Sequence, residues 1–105
     1  MGIIKALVWC EGLSVLIQKN VIDLSLVDNL FSYRFFMLVH NPYIQEVELK
    51  PYKEYYKGIF TLHKIWCDYK RKTNQIILNE QYSLEKLQDY EIFTKKGDIS
   101  DHINY

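Results

Sequence analysis

The stretch SYRFFMLVHNPY, residues 32–43, predicts the end of one apolar helix and the start of the next. It holds few β-branched residues, which favours a helix over a strand. The pair Asn41-Pro42 ends this helix, because the residue before a proline avoids helical dihedral angles. The same pair suits a helix start, since asparagine caps well and proline favours the first helical position.

Two helices are predicted up to this point. The first covers residues 2–19, in which apolar residues recur every three or four positions, and Asn20 suits a left-handed terminator. The second covers residues 25–40. Ser25 opens an S-x-x-D capping signal for it, with Asp23 as a competing cap. Because the second helix is apolar on nearly every side, we expect it to lie in the middle of a bundle.

A third, long helix is predicted from Pro42 to Lys72, kinked or split at Pro51 because proline cannot donate a helical hydrogen bond. Apolar residues beyond Pro51 follow the spacings 3, 4, 3, 4, 3, which is the strongest periodic signal in the chain. They are Tyr52, Tyr55, Ile59, Leu62, Trp66 and Tyr69. This seam predicts a helix that packs along one side.

A fourth helix is predicted to begin at a Ser83 cap and to end at Gly97. Residues 98–105 are predicted to be a frayed tail. The fold class that follows is all-α, a bundle of about four helices with the third helix long and bent. Residues 1–97 are expected to form one domain, since 105 residues with 49% apolar side chains suit a single core.

Charge and cysteine content restrict the classes of function. The 13 basic and 13 acidic residues give a formal net charge of zero, so we expect no wholesale electrostatic binding of nucleic acid. Lys5 and Glu11 interrupt the first helix, so we expect no membrane span. Cys10 and Cys67 lie among apolar residues and no signal peptide precedes them, which favours free thiols in a reducing cytoplasm over one disulfide.

The sequence predicts no catalytic residue, no cofactor and no metal. His63 and Cys67 stand four apart on one helix and can offer two zinc ligands, but Cys10 and His40 complete a set only through a particular tertiary fold. Packing is the expected role of all four. A nucleophilic Cys67 would need free backbone amides, which a mid-helix position lacks. Phosphate-binding glycine loops and hydrolase motifs are absent from the sequence.

Cations cluster between residues 50 and 72 and define a candidate partner-binding set, which we call the basic ridge. Its members are Lys50, Lys53, Lys57, Lys64, Lys70, Arg71 and Lys72. Tyrosines alternate with the first of these lysines, and stacking combined with positive charge is how proteins hold single-stranded nucleic acid. Nucleic acid is therefore the alternative partner.

Arg34 is a further candidate partner-binding residue, because it places a charge in the apolar second helix. A buried unpaired charge costs several kcal/mol, so Arg34 must reach solvent or a carboxylate. We expect a structural pair with Glu11, which interrupts an apolar stripe in the first helix. The alternative is that Arg34 binds a carboxylate or phosphate of a partner.

The run LSVLIQKNVIDLSLVDNLFSYRFFMLV, followed by a helix with tyrosines and a tryptophan, resembles small helical bacterial domains of unknown function. Some of those domains follow an N-terminal membrane-anchor helix. The shared pattern covers about residues 12–66 and consists of core positions. The resemblance implies an all-helical domain and no catalytic residue.

Nine tyrosines, two tryptophans and five phenylalanines exceed the needs of a small core, and exposed aromatics are typical of binding surfaces. The candidate interface aromatics are Tyr52, Tyr55, Tyr56, Trp66 and Tyr69. The leading interpretation is a non-enzymatic protein-interaction or regulatory module. Such a module either self-associates or inhibits another macromolecule, as small proteins of bacterial mobile elements and phages do.

Overall fold

A computed structural model describes residues 2–91 of the chain, and these residues form an all-α fold without strands. The α-helices are α1 (Ile3–Gln18), α2 (Leu24–Val39), α3 (Pro42–Ile44) and α4 (Lys57–Lys72). A π-helical segment, Gln45–Leu49, continues α3, and 3₁₀ turns form at Lys53–Tyr56, Glu80–Tyr82 and Leu84–Lys86. The predicted fold class is confirmed, although the chain is divided into more helical segments than the four expected.

Asparagines end the helices at the predicted places. Asn20 adopts a left-handed conformation with φ 59°, directly beyond α1. The side-chain oxygen of Asn41 accepts hydrogen bonds from the amides of Tyr43 at 2.8 Å and Ile44 at 3.2 Å. At the start of α2 the capping position is Asp23 rather than Ser25, and the Asp23 side chain makes no capping hydrogen bond.

Of the two outcomes expected at Pro51, a kinked helix and a divided one, the structure has the divided one, and no single long third helix forms between residues 42 and 72. Pro51 lies in a turn between the π-helical segment and the 3₁₀ turn, and Tyr52 leaves helical geometry with φ −118° and ψ 36°. Because proline removes a hydrogen-bond donor and its ring collides with the preceding turn, the chain separates here instead of bending. The α4 helix therefore starts independently at Lys57.

The core forms where α1 and α4 pack against each other and the buried side of α2 contacts both. Phe35 of α2 stacks on Trp66 of α4 with ring centroids 4.6 Å apart, and Phe36 meets the same indole edge-on at 5.5 Å. All three side chains are fully buried or nearly so. The aromatic surplus of the sequence is thus partly used inside the molecule.

The expectation that α2 lies in the middle of a bundle needs correction. One side of α2 is buried through Val27, Phe35 and Val39, whereas Leu30 and Tyr33 on the other side are exposed. Among the described residues, no element covers this second side. The helix therefore lies at the periphery, apolar on both sides but buried on one.

The segment after α4 closes the core without the predicted helix from Ser83. The Ser83 hydroxyl does accept from the amide of Glu85 at 3.2 Å, but only a 3₁₀ turn follows, and Leu87 is extended. Tyr90 is buried against the core. The predicted helix end at Gly97 and the tail 98–105 lie outside the described residues. Within residues 2–91, every helix falls short of the length and apolarity that crossing a bilayer requires.

Candidate protein-interaction surface

The α1 helix is apolar almost all round, yet only one of its sides is buried. Leu7 and Leu13 enter the core, while Val8, Trp9 and Val15 are exposed. A helix with apolar residues on every side is normally enclosed on every side. The outer side of α1 is therefore an apolar surface without a cover in the described chain.

An open groove runs between α1 and α2, with a volume of about 660 Å³. Its lining residues are Trp9, Gly12, Leu13, Leu16, Ile22, Leu26, Val27, Leu30 and Phe31. Trp9 meets Phe31 edge-on, with ring centroids 5.1 Å apart, so the two helices are joined by aromatic contact beneath the groove. A lining without a charged side chain suits an apolar ligand surface.

The outer side of α2 extends the groove as a straight apolar stripe. Its members follow the spacing 4, 3, 4 and are Leu26, Leu30, Tyr33 and Met37. This spacing places them along one line of a helix, as in the seam of a coiled coil. We call this stripe, together with Val8, Trp9, Gly12, Val15 and Leu16 of α1, the α1–α2 face.

The α1–α2 face is large for so small a protein. Leu30 is 61% exposed and Tyr33 is 67% exposed. A fully exposed aromatic side chain presents roughly 150–250 Å² and an aliphatic one less, so the eight large side chains of the face present on the order of 600 Å² of mainly apolar surface. The largest apolar patch on a typical monomer is about 300–600 Å² and is often functional. The face therefore lies at the upper end of this range and has the size of a binding surface.

Gly12 lies inside this face, in the middle of α1. A Cβ atom built at Gly12 has no atom within 4 Å, so packing inside the chain does not require a glycine there. Glycine in a helix interior costs about 0.5–1 kcal/mol relative to alanine. The sequence thus accepts this cost at a residue that lines the groove.

Arg34 is exposed beside the stripe, and the predicted Arg34–Glu11 pair does not form. Glu11 is instead held by the first turn of α4, where its Oε2 accepts from the Ile59 amide at 2.6 Å. The amides at a helix N-terminus attract a carboxylate more directly than a distant guanidinium does. Arg34 therefore remains at the rim of the α1–α2 face.

Carboxylates neutralise most of the basic ridge. Lys50 pairs with Glu46, Lys53 with Asp89 at 3.1 Å and Lys57 with Glu54 at 3.2 Å. Arg71 donates to both oxygens of Glu85, each at 2.8 Å, and this pairing raises the pKa of its guanidinium. Lys64 and Lys72 are exposed and form no ion pair with residues 2–91.

Lys70 must be removed from the ridge, because it is a buried structural residue. It is only 6% exposed, and its Nζ lies 2.9 Å from Oδ1 of Asp28. Trp66 Nε1 donates to the same Oδ1 at 2.7 Å, and Lys70 also donates to Gln75. Burial alone would raise the pKa of Asp28, but the hydrogen bonds from Lys70 and Trp66 outweigh it and lower the pKa.

The structure also divides the candidate interface aromatics. Trp66 and Tyr56 are buried, and Tyr69 is half-buried, so these three belong to the core or its edge. Tyr52 and Tyr55 are exposed, with ring centroids 6.3 Å apart. The outer stripe of α2 was not predicted, because a helix that is apolar on nearly every side was expected to be enclosed in the bundle. The 4, 3, 4 spacing of its residues was the signal for a second seam.

The polar atoms of His40, His63 and Cys67 meet inside the core. His40 Nε2 lies 2.7 Å from His63 Nε2, and Cys67 Sγ lies 3.5 Å from the same His63 atom. His63 Nδ1 lies 2.8 Å from the Tyr90 hydroxyl, and His40 Nδ1 lies 2.8 Å from the Leu78 carbonyl. Cys10, the fourth residue of the zinc hypothesis, is buried elsewhere on α1.

Hydrogen-bond chemistry fixes the direction of this chain when both imidazoles are neutral. The Leu78 carbonyl can only accept, so His40 Nδ1 carries a proton and His40 Nε2 accepts. His63 Nε2 must then donate, and its Nδ1 accepts from Tyr90. Burial lowers the pKa of His63 to about 3 and raises the pKa of Cys67 to about 12. A protonated thiol of this kind is a poor nucleophile.

The described residues contain no group of three or more His, Cys, Asp or Glu side chains placed to bind a metal ion. The fold and these clusters define an all-α protein with satisfied internal polar groups and an apolar outer face. No family model, curated protein or solved structure matches the chain.

Proposed function

We propose that this chain is a non-enzymatic protein-interaction module and that the α1–α2 face is its binding surface. The observation that carries the proposal is the size of that face, on the order of 600 Å² of mainly apolar side chain. Burial of apolar surface stabilises a complex by about 25 cal/mol per Å², before the costs of association. Leaving this face exposed to water is therefore unfavourable compared with covering it in a complex.

The shape of the face suits a helical partner. The groove between α1 and α2 is lined by apolar side chains, and helical segments commonly place an apolar side into such grooves. Trp9 and Tyr33 supply large, rigid contacts of the kind that dominate binding energy. A regulatory or inhibitory module would use the same face to cover a partner's apolar surface.

The state of the internal polar groups supports a non-enzymatic role. His63 and Cys67 are fully buried, and His63 contacts both Cys67 and the Tyr90 hydroxyl. Every buried side-chain nitrogen and oxygen in the described residues has a hydrogen-bond partner. An active site usually holds polar groups that await a substrate, and this core holds none.

A matched pair of photo-crosslinkers tests the proposal. Tyr33→p-benzoylphenylalanine reports on the α1–α2 face, and Tyr55→p-benzoylphenylalanine is the control, since Tyr55 is 75% exposed outside the face. We expect a discrete protein adduct from position 33 only, and its loss when Leu30→Glu is added. Equal labelling at both positions, or none at position 33, would refute the proposal.

The nucleic-acid alternative has weaker support. It relies on the basic ridge, in which carboxylates or burial already occupy Lys50, Lys57, Lys70 and Arg71. Counterion release requires cations that are available to phosphates. Lys64 and Lys72 remain as exposed charges, and two cations are too few for strong electrostatic binding of nucleic acid.

A further inference from the structure

Building on the proposed function, we infer that the occupant of the α1–α2 face is a second copy of this chain. The two copies pack with their α2 helices antiparallel across a two-fold axis. Three observations lead to this arrangement: the area of the face, the symmetry of its spacing and the position of its charges.

The area of the face matches what a stable dimer needs. A standard protein interface buries roughly 600–1,000 Å² per partner, and interfaces of homodimers are more apolar than the average surface. The face offers an area on the order of 600 Å², mainly from apolar side chains, which lies at the lower end of this range. A second copy that covers the face would therefore bury enough surface for a dimer.

The stripe on α2 is complementary to itself. A two-fold interface brings the same patch of both subunits together, so residue i meets residue j and residue j meets residue i. The spacing 4, 3, 4 reads the same in both directions. Antiparallel pairing therefore places Leu26 opposite Met37 of the second copy and Leu30 opposite Tyr33 of the second copy.

Charges stand at the rim of the face and not within it. Lys5, Lys19 and Arg34 are exposed, and none belongs to the stripe or to the groove lining. Dimerisation consequently buries no unpaired charge, which would cost several kcal/mol. The long side chains of the rim can keep their charged ends in water while their stems cover apolar surface.

The first test is the molar mass in solution, measured by sedimentation equilibrium over a hundredfold range of protein concentration. We expect a monomer–dimer equilibrium for the parent chain and a monomer for Leu30→Glu at every concentration. The matched control is Ile76→Glu, since Ile76 is an 88% exposed apolar residue outside the face, and this variant should dimerise like the parent. Circular dichroism melts confirm that each variant is folded.

A second test fixes the orientation. In a mixture of Leu26→Cys and Met37→Cys chains, oxidation should link one variant to the other, because these positions face each other. Neither variant should link to itself, since antiparallel pairing separates like positions by 11 residues, about 16 Å along the helix. The native cysteines are buried and do not compete. Self-linked Leu26→Cys chains would overturn the antiparallel arrangement.

The outcomes separate this inference from the proposed function. A parent chain that stays monomeric at every concentration overturns the second copy as occupant. The crosslink from position 33 to a different protein would then still support the interaction module. A monomer that sediments with anionic phospholipid vesicles, and loses this with Leu30→Glu, would replace the second copy with a lipid surface.

Discussion

The carboxylate of Glu11 fills the space next to Gly58 in which any other residue would place its Cβ atom. A Cβ atom on Gly58 would lie 2.7 Å from Glu11 Oε1, while Glu11 Oε2 accepts from the neighbouring amide of Ile59 at 2.6 Å. The packing of α1 on α4 thus depends on the Glu11 carboxylate in α1 and on the absence of a Cβ atom at Gly58 in α4. The negative charge also lies at the positive end of the α4 dipole.

Gly58→Ala should therefore fail to give the usual gain in helix stability. Alanine is favoured over glycine by about 0.5–1 kcal/mol, but the displaced carboxylate loses charged hydrogen bonds that contribute about 1.5–3 kcal/mol. We expect a net loss of about 1 kcal/mol in the free energy of unfolding, measured with urea. The matched control is Gly12→Ala, which meets no neighbour and should stabilise the monomer, assayed in the Leu30→Glu background. In a Glu11→Ala background, Gly58→Ala should become stabilising.

Lys70→Met should be among the most damaging substitutions, because it removes the ammonium partner of the buried Asp28 carboxylate. Breaking a buried pair by removing one partner costs about 3–5 kcal/mol. The double variant Asp28→Asn with Lys70→Met should lose less than Lys70→Met alone, since no charge remains. Denaturant titrations of both single variants and the double variant measure this coupling, and simple additivity would contradict it.

Acid should destabilise the fold through His40 and His63 before most carboxylates titrate. Burial lowers both pKa values, that of His63 to about 3, whereas the unfolded value is 6.5. The folded state then binds fewer protons, so the free energy of unfolding falls as the pH drops below 6.5 and continues to fall towards pH 3. The slope is about 1.4 kcal/mol per pH unit for each fully neutral histidine.

Urea denaturation at pH values above and below 6.5 measures this loss. Nuclear magnetic resonance of the two imidazoles in the folded protein supplies the site-specific control. Their resonances should not titrate near pH 6.5. A free energy of unfolding that does not change with pH through that range, or an ordinary titration of His63, would contradict this interpretation. The two histidines would then not be the neutral links that connect the Leu78 carbonyl to Tyr90 by hydrogen bonds.

Cys10 and Cys67 should not react with a thiol reagent while the protein is folded. Both are buried free thiols, and burial raises each pKa to about 12, so little thiolate is present at neutral pH. Denaturant should release two rapidly reacting thiols per chain. Ser25→Cys, at an exposed position of α2, is the positive control and should react at once in the folded state. Fast labelling of Cys67 in the folded parent would contradict its burial.

Single-stranded DNA should not bind appreciably at physiological salt. The basic ridge retains only Lys64 and Lys72 as exposed cations without an ion pair among residues 2–91, and neutralising so few phosphates releases too few counterions for appreciable affinity. Fluorescence anisotropy with a labelled oligonucleotide checks this at two salt concentrations. Binding that weakens with salt and with Lys64→Glu would favour the nucleic-acid alternative.

Local signals in the sequence were sufficient to place several helix ends. Asn20 and Asn41-Pro42 act through their own dihedral preferences and side-chain hydrogen bonds, so neighbours in space are not needed. The sequence indicated that Pro51 interrupts the helix. It did not indicate whether the helix bends or divides there, because the missing donor and the ring clash of proline can cause either. The role of Lys70 was hidden, since its partner Asp28 is 42 residues away in sequence.

The sequence by itself determined that this protein is all-α and that α1 and α2 are apolar nearly all round. It could not determine which side of α2 faces the core, because both sides are apolar and the pattern favours neither. The tertiary structure decided this through polar contacts. Asp28 must reach Lys70 and Trp66 on α4, and this turns Phe35 inwards and leaves Leu30 outside. A buried charge without its partner costs several kcal/mol, whereas an apolar side chain can pack against many different neighbours.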